Sequence, residues 1–226
     1  GGYAEYMTVP EAFTYPIPEG MDDLQAAPLL CAGAIGYRSL RLTGLLGQDL
    51  SGEEGRLGLT GFGASGHLVL KLVHYHYPAL EVYVFARSQE QRAFARELGA
   101  VWAGDTADRA PHKLSAVIDT TPAWKPVVEA LANLAPGGRL VINAIRKEAG
   151  DQGHLQHLDY ARHLWMEKEI KSVANVTRTD VEECLQLAAE AGIQPTVETY
   201  PLQEANRALR DLRRGGSRGA KALVMA

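Results

Sequence analysis

Cysteine is scarce in this chain, and long hydrophobic runs are missing. Only Cys31 and Cys184 occur among 226 residues, which argues against a disulfide framework and fits a reducing compartment, so we expect a cytoplasmic protein. No apolar run approaches ~20 residues and no secretory leader is visible, so we expect neither a membrane span nor a membrane partner. The chain opens with Gly-Gly instead of Met, and we therefore expect it to be a piece of a longer protein.

Blocks of like charge are absent as well. The net charge of −4 comes from 23 basic and 27 acidic residues that are mixed along the chain, so we expect no nucleic-acid partner. No Walker sequence occurs, so nothing indicates a P-loop nucleotidase. The chain does contain enough apolar sequence for a core, 46% of its residues, and its length suits one large domain or two small ones.

Short apolar segments alternate with helical patterns from Arg56 onward. The predicted strands of this region are RLGLTG, EVYVFA, SAVIDT, RLVINA and EIKSVANV. Alternation of this kind predicts right-handed crossovers between parallel strands. We therefore assign the α/β class, with a doubly wound, parallel, six-stranded Rossmann sheet. A separate strand–helix–strand unit, from VETYPL to AKALVM, is predicted in the tail.

A glycine-rich turn, GFGASG, follows the first of these strands and opens a predicted helix. In its GxGxxG spacing, Gly61 permits the tight turn, Gly63 lacks the Cβ that would block a pyrophosphate, and Gly66 lets the helix approach the strand. The helix N-terminus, at Ala64 and Ser65, presents free N–H groups and a positive dipole end to phosphates. The turn therefore predicts a dinucleotide site; the alternative is a tight turn without a ligand.

The end of the second strand indicates which dinucleotide is bound. NAD sites usually place an acid there to bind the ribose hydroxyls. Here the strand ends in Ala86-Arg87-Ser88, which contains no acid. An Arg can pair with a 2′-phosphate and a Ser can donate to it, whereas an acid would repel it. We predict that NADP is preferred to NAD, although Arg87 as a plain surface charge is the alternative.

Taken together, these segments resemble the zinc-dependent alcohol dehydrogenases of the medium-chain dehydrogenase/reductase superfamily, in their cinnamyl-alcohol-dehydrogenase-like branch. The segments that carry the resemblance are GGYAEYMTVPEAFTYPIPEGM, AAPLLCAGAIGYRSL, GFGASGH, FARELGA, PGGRLV and SVANVTRTDVEECLQLAAE. They span nearly the whole chain in the family's order, and PLLCAG is the most specific of them.

The resemblance implies that Cys31, the cysteine of PLLCAG, is one of three protein ligands to a catalytic zinc. The other ligands of the family lie in an upstream domain that this sequence does not contain, and a catalytic zinc needs about three. We therefore expect zinc in the longer enzyme and none in this chain, where the alternative for Cys31 is a packing residue. The implied division is residues 1–31 as a remnant of a split GroES-like catalytic domain, 32–175 as the dinucleotide-binding domain, and 176–226 as the return to the catalytic domain.

Other strand ends complete the implied cofactor site. Asp119, Thr120, Asn143 and Asn175 lie at the ends of predicted strands, where the resemblance implies that backbone groups meet the ribose and the carboxamide. Arg178 follows and would reach the pyrophosphate; an exposed charge in the first turn of a helix is its alternative. No catalytic residue is assigned in this chain.

The histidines are expected to be structural. His154 and His157 lie near Asp151 and Asp159 in a predicted loop, but no third His or Cys is close in sequence, so we expect no metal there. His67 lies in the first turn of the glycine-loop helix, where the dipole disfavours a cation, so we expect it to be neutral.

The resemblance implies a function for the longer protein. The reaction would be hydride transfer between NADP(H) and a small-molecule alcohol or aldehyde, with zinc polarising the substrate oxygen. Family members commonly pair their sheets at the strand EIKSVANV, so a homodimer is expected. Two alternatives stay open: a zinc-free quinone-reductase-like oxidoreductase of the same superfamily, and a non-enzymatic redox-sensing module that binds NAD(P).

Overall fold

The structure, a computed structural model, describes residues 2–46, 55–214 and 218–225. Residues 2–22 contain no strand and no helix apart from a 3-10 turn at Glu11–Phe13. A nearly continuous helical run follows, made of α1 (Asp23–Pro28), a π-helical turn (Leu29–Gly33) and α2 (Ala34–Leu42). Asp22 begins this run because it forms a capping box with Gln25, each side chain accepting the other's backbone N–H.

Strands and helices then alternate. The central elements are β1 (Arg56–Thr60), α3 (Ala64–His76), β2 (Glu81–Phe85), α4 (Gln89–Glu97), β3 (Trp102–Gly104), β4 (Leu114–Asp119), α5 (Lys125–Asn133), β5 (Leu134–Ile142) and β6 (Glu169–Ser172). Between β5 and β6 lie a 3-10 helix (Ala149–His157), where a loop was predicted, and a single π-helical turn (Tyr160–Leu164). Among the described residues, no helix is both long and apolar enough to cross a membrane.

The six central strands form one sheet in the order β3-β2-β1-β4-β5-β6, and every pairing is parallel. This confirms the predicted six-stranded, doubly wound sheet, five of whose strands had been assigned to segments of the sequence. The edge strand β3 has only three residues and was assigned to no strand in the sequence, because three residues are too few to show a periodicity. The order of strands reverses direction between β1 and β4, and a ligand crevice is expected at that point.

The central strands are buried on both faces. In β2, Val82 and Val84 pack into the core under α3 and α4, whereas Tyr83 and Phe85 pack into the core on the α5 side. Alternate side chains of a strand point to opposite faces, so a strand covered on both faces is apolar throughout. Burial of each such side chain stabilises the fold by roughly 1.5–3 kcal/mol.

The last elements form a smaller unit. Helix α6 (Arg178–Glu190) begins at a capping box between Thr177 and Asp180, and its apolar residues pack with those of α2 and α3. Three elements follow it: β7 (Val197–Pro201), α7 (Ala205–Arg214) and β8 (Ala220–Val224). The strands β7 and β8 pair with each other in a separate two-stranded parallel sheet. The strand–helix–strand tail was predicted, and the domain division drawn at residues 31 and 175 stays a prediction.

Candidate functional site

The glycine turn connects β1 to α3 at the carboxyl edge of the sheet. Gly61 has a left-handed backbone, with φ of 78°, and a Cβ there would lie 2.7 Å from Thr120 Oγ1. The N–H of Gly61 donates to the Phe85 carbonyl at 2.8 Å, and the N–H of Thr120 donates to the Thr60 carbonyl at 3.0 Å. The turn therefore fits closely against the ends of β2 and β4, and a larger residue at Gly61 would separate them.

Gly63 and Gly66 have the two remaining roles that the spacing predicts. A Cβ on Gly63 would meet no heavy atom within 4 Å, so its position is open, whereas a Cβ on Gly66 would lie 3.0 Å from the Gly61 carbonyl oxygen. Gly63 is also the N-cap of α3 and offers no side-chain oxygen, and no acid lies in the first turn. The N–H groups at the start of this helix, at Ala64 and Ser65, therefore have no side-chain cap, the arrangement that favours a bound anion.

A cavity of about 600 Å³ opens beside this turn, a volume in the range of small-molecule sites. Its lining comes from the ends of β1, β2, β4 and β5 and from the segments that follow these strands and β3. The predicted cofactor residues in the lining are Gly61, Gly63, Ala64, Ser65, Arg87, Thr120 and Asn143. These residues come from four separate segments of the chain, and the fold brings them to one edge of the sheet.

The end of β2 has the chemistry that the sequence indicated, with one difference. Arg87 is exposed on the cavity wall, and no hydrogen bond or ion pair of its side chain is found among the described residues. Ser88, in contrast, is the N-cap of α4, and its hydroxyl accepts the N–H of Gln91 at 3.4 Å. Arg87 is therefore free to meet a ligand, whereas Ser88 already has a role in the helix.

Asp119 ends β4, as predicted, but its carboxylate lies beneath the cavity wall with no exposed surface. It accepts hydrogen bonds from the hydroxyls of Thr60, at 2.5 Å, and Thr121, at 2.8 Å. Its other oxygen is paired with Lys147, which also donates to the carbonyls of Thr121, at 2.7 Å, and Ala123, at 3.0 Å. The pair holds the loop after β4 against the sheet, so Asp119 shapes the cavity from below.

The remaining predicted cofactor residues differ in position. Asn143 is buried, and its amide nitrogen donates to Ser39 Oγ at 2.7 Å, which joins the end of β5 to α2. Asn175 is exposed after β6 with a left-handed backbone, φ of 57°, which Asn tolerates well. The guanidinium of Arg178 lies 5.1 Å from the Tyr15 ring centre and donates to Glu182 at 2.8 Å. Neither Asn175 nor Arg178 lines the cavity beside the glycine turn.

Cys31 is exposed in the π-helical turn and lines a second cavity of about 590 Å³. The lining of that cavity is mostly apolar and comes from α1, the glycine turn, α7 and β8. Among the described residues, no three His, Cys, Asp or Glu side chains come together as a metal site. A zinc site therefore does not fit the ligands that the described part of this chain supplies, and Cys31 is at most one ligand of such a site.

The surroundings of two titratable groups near the cavity, His67 and Asp151, lower their pKa values. Burial lowers the pKa of His67 to about 4, although its Nδ1 lies 3.2 Å from the Gly63 carbonyl oxygen, and the ring is neutral as predicted. Burial opposes ionisation of Asp151, but the N–H groups of Lys125 and Trp124 hold the pKa of this carboxyl below its usual value. Asp151 thereby caps the start of α5.

Three important residues were not identified from the sequence. Lys147, Arg92 and Asp105 each act across long-range contacts near the cavity, and none belongs to a short motif. Each of them lies among other polar or charged residues, so the sequence does not distinguish it from an ordinary surface charge.

Comparison with known proteins identifies the family. The sequence model described as "Zinc-binding dehydrogenase" matches residues 90–222, which is more than half of the chain. The chain therefore belongs to the zinc-binding dehydrogenase family, and the resemblance to medium-chain alcohol dehydrogenases is confirmed.

Individual relatives agree with this assignment. A protein called probable alcohol dehydrogenase AdhA, from Mycobacterium tuberculosis, is 41% identical over 225 residues, which cover 100% of this chain and 61% of that protein. A probable cinnamyl alcohol dehydrogenase from Lolium perenne is 33% identical over 226 residues, covering 96% of this chain and 58% of that protein. The chain thus spans about three-fifths of the length of these curated relatives.

A solved structure supports the fold. The alcohol dehydrogenase of Aeropyrum pernix superimposes with a TM-score of 0.79 at 22% identity, covering 97% of this chain and 64% of that chain. At this identity the likeness concerns the fold alone.

Proposed function

We propose that this chain is the NADP(H)-binding part of an alcohol dehydrogenase that transfers hydride between the nicotinamide and a small-molecule alcohol or aldehyde. The observation that carries the proposal is the open space at Gly63, beside helix N–H groups that lack a side-chain cap. The bound dinucleotide supplies the hydride chemistry, and the residues of this chain bind and orient it.

The phosphates would lie against the start of α3, with Ala64 and Ser65 donating from their backbone. Thr120 and Asn143, at the ends of β4 and β5, line the cavity further along the sheet, on the path toward the nicotinamide. Arg87 lies at the other end, after β2, where the adenosine ribose is expected. We propose that Arg87 binds a 2′-phosphate there, since Ala86 occupies the place of the usual acid.

Calorimetry with NADPH and NADH tests this preference. One charge-assisted contact to a 2′-phosphate is worth ~1.5–3 kcal/mol, or roughly 10- to 100-fold in affinity. Arg87→Ala should reduce the difference in affinity between NADPH and NADH, and Ala86→Asp should make the chain bind NADH more tightly than NADPH. Arg109→Ala is the matched control, because that side chain pairs with Glu129 and does not line the cavity. Affinities for NADPH and NADH that agree within a factor of about two would refute the preference.

We further propose that the longer enzyme holds a catalytic zinc with Cys31 among its ligands, and that this chain alone neither retains zinc nor catalyses the reaction. Two observations support this proposal. Cys31 is exposed, and among the described residues no group of three potential metal ligands comes together. Metal analysis of the purified chain, beside an NADPH-linked aldehyde assay, checks this. Stoichiometric zinc together with turnover would contradict it, and His154 and His157 would then be the first residues to replace.

A homodimer and a cytoplasmic location complete the proposal. The strand β6 lies at the edge of the sheet and its residues are exposed, so a second copy could extend the sheet there. Both cysteines are free, which agrees with a reducing compartment.

A further inference from the structure

An acidic side chain lies at the ribose end of the cavity, although the segment after β2 contains none. The N–H of Ala86 donates to the Gly104 carbonyl at 3.0 Å, so the residue that follows β3 lies beside the residues that follow β2. That residue is Asp105, and it lines the same cavity as Arg87. Half of the Asp105 side chain is exposed, so a ligand that enters the cavity can come close to its charge.

Asp105 is held by Arg92, from helix α4. The Nη1 atom of Arg92 lies 2.7 Å from the Ala86 carbonyl oxygen, 3.0 Å from the Arg87 carbonyl oxygen and 3.0 Å from Asp105 Oδ2. One Nη atom carries two hydrogens, so these three acceptors share two donors. The two carbonyls can therefore be satisfied without the carboxylate, and among the described residues no partner is found for Asp105 Oδ1, the oxygen that does not pair with Arg92.

We propose that Asp105 is a specificity-determining residue, which limits how strongly the site prefers a dinucleotide with a 2′-phosphate over one without it. This inference rests on the proposed binding of NADP(H). A phosphate monoester carries a charge of about −1.5 to −2 near neutral pH, and a carboxylate on the same cavity wall opposes its entry. Arg87 attracts the phosphate and Asp105 repels it, so the preference for a 2′-phosphate is the balance of the two.

The substitution Asp105→Asn isolates the charge. The amide keeps the size of the side chain, and the turn around residue 105 keeps the bond from its backbone N–H to Asp108 Oδ2, at 2.7 Å. Arg92 still donates hydrogen bonds to the carbonyls of Ala86 and Arg87, so the segment after β2 stays in place. Glu129→Gln is the matched control: it makes the same change of charge at a carboxylate that pairs with Arg109 outside the cavity.

The experiment compares adenosine 2′,5′-bisphosphate with 5′-AMP by calorimetry, on the full 226-residue chain. Asp105→Asn should tighten binding of the bisphosphate about fivefold and change binding of 5′-AMP less than twofold. The gain should shrink at 1 M salt, where the Debye length is about 3 Å. NADPH and NADH serve as a second pair of probes with the same expected difference.

The outcomes separate this inference from the proposed function. A wild-type chain that binds none of the four nucleotides would refute the dinucleotide site, and the inference would fall with it. A wild-type chain that binds them, with a preference that Asp105→Asn changes no more than Glu129→Gln does, would overturn the role of Asp105 alone. Equal tightening of both probes would also overturn it, because the effect would then not depend on the 2′-phosphate.

Discussion

Replacing Lys147 with methionine removes the positive partner of a buried ion pair and keeps most of the apolar stem. The Lys147 side chain is 9% exposed, and that of Asp119 is 0% exposed. The substitution leaves the Asp119 carboxylate buried without a cation and leaves the Thr121 and Ala123 carbonyls without the donor that holds them. We expect Lys147→Met to be strongly destabilising and to loosen the loop that lines the cavity.

The expected magnitude follows from the burial of the pair. Breaking a buried pair by removing one partner costs about 3–5 kcal/mol, because an uncompensated charge remains. Hydrogen bonds from Thr60 and Thr121 still reach the carboxylate, so we expect the lower end, ~3 kcal/mol. The exposed pair between Arg207 and Glu204 offers a contrast, since such surface pairs contribute about 0–1 kcal/mol.

Urea denaturation followed by circular dichroism measures these free energies of unfolding. A double-mutant cycle with Asp119→Asn supplies the control, because the double variant contains no unpaired charge and should be more stable than the sum of the single losses implies. Arg207→Met should cost less than ~1 kcal/mol. If Lys147→Met costs no more than Arg207→Met, or if the two single losses simply add, the pair does not hold this loop as described.

Two further predictions concern pH and assembly. Burial lowers the pKa of His67 from 6.5 to about 4, so the unfolded chain binds more protons than the folded chain between these values. The stability that neutral His67 contributes is therefore complete above pH 6.5, and it falls by roughly 3 kcal/mol as the pH drops to 4. Urea titrations should show that the free energy of unfolding of His67→Gln falls less over this pH range. An equal fall in the variant and the wild type would contradict this. For assembly, Ser172→Pro should disrupt a dimer formed through β6, as measured by light scattering. The backbone groups of residues 171 and 173 face β5, so Ser172 directs its N–H to the open edge of the sheet, and proline removes that donor. A wild-type chain that is only monomeric at micromolar concentration would refute the dimer.

The parts predicted from sequence are those with local chemical causes. Gly61 needs a left-handed backbone, Gly63 needs open space and Gly66 needs a close approach, so spacing alone identified the turn and the strand before it. The sheet was predictable for a similar reason, since strands that are buried on both faces are apolar throughout. The three-residue strand Trp102–Gly104 was missed because its pairing with β2, and not its own pattern, defines it.

The contacts that the sequence could not give are long-range ones. Asp119 was placed correctly at a strand end, but its burial depends on Lys147, 28 residues later. The absence of an acid after β2 was read correctly from Ala86-Arg87-Ser88, yet Asp105 reaches the same cavity from the neighbouring strand. A local pattern cannot report which distant side chains share a cavity, because strand order decides it.

The strand order also has a consequence for how the chain folds. Arg56 of β1 pairs with Glu81 of β2, a separation of 25 residues, whereas Leu57 of β1 pairs with Ala116 of β4, a separation of 59. Closing the longer loop costs ~0.8 kcal/mol more in chain entropy, so β1 should associate with β2 before β4 joins. The glycine turn rests on the ends of both neighbours, and β4 and β5 supply one wall of the cavity. A refolding chain should therefore regain its central βαβ unit, β1-α3-β2, early and its ability to bind a nucleotide late.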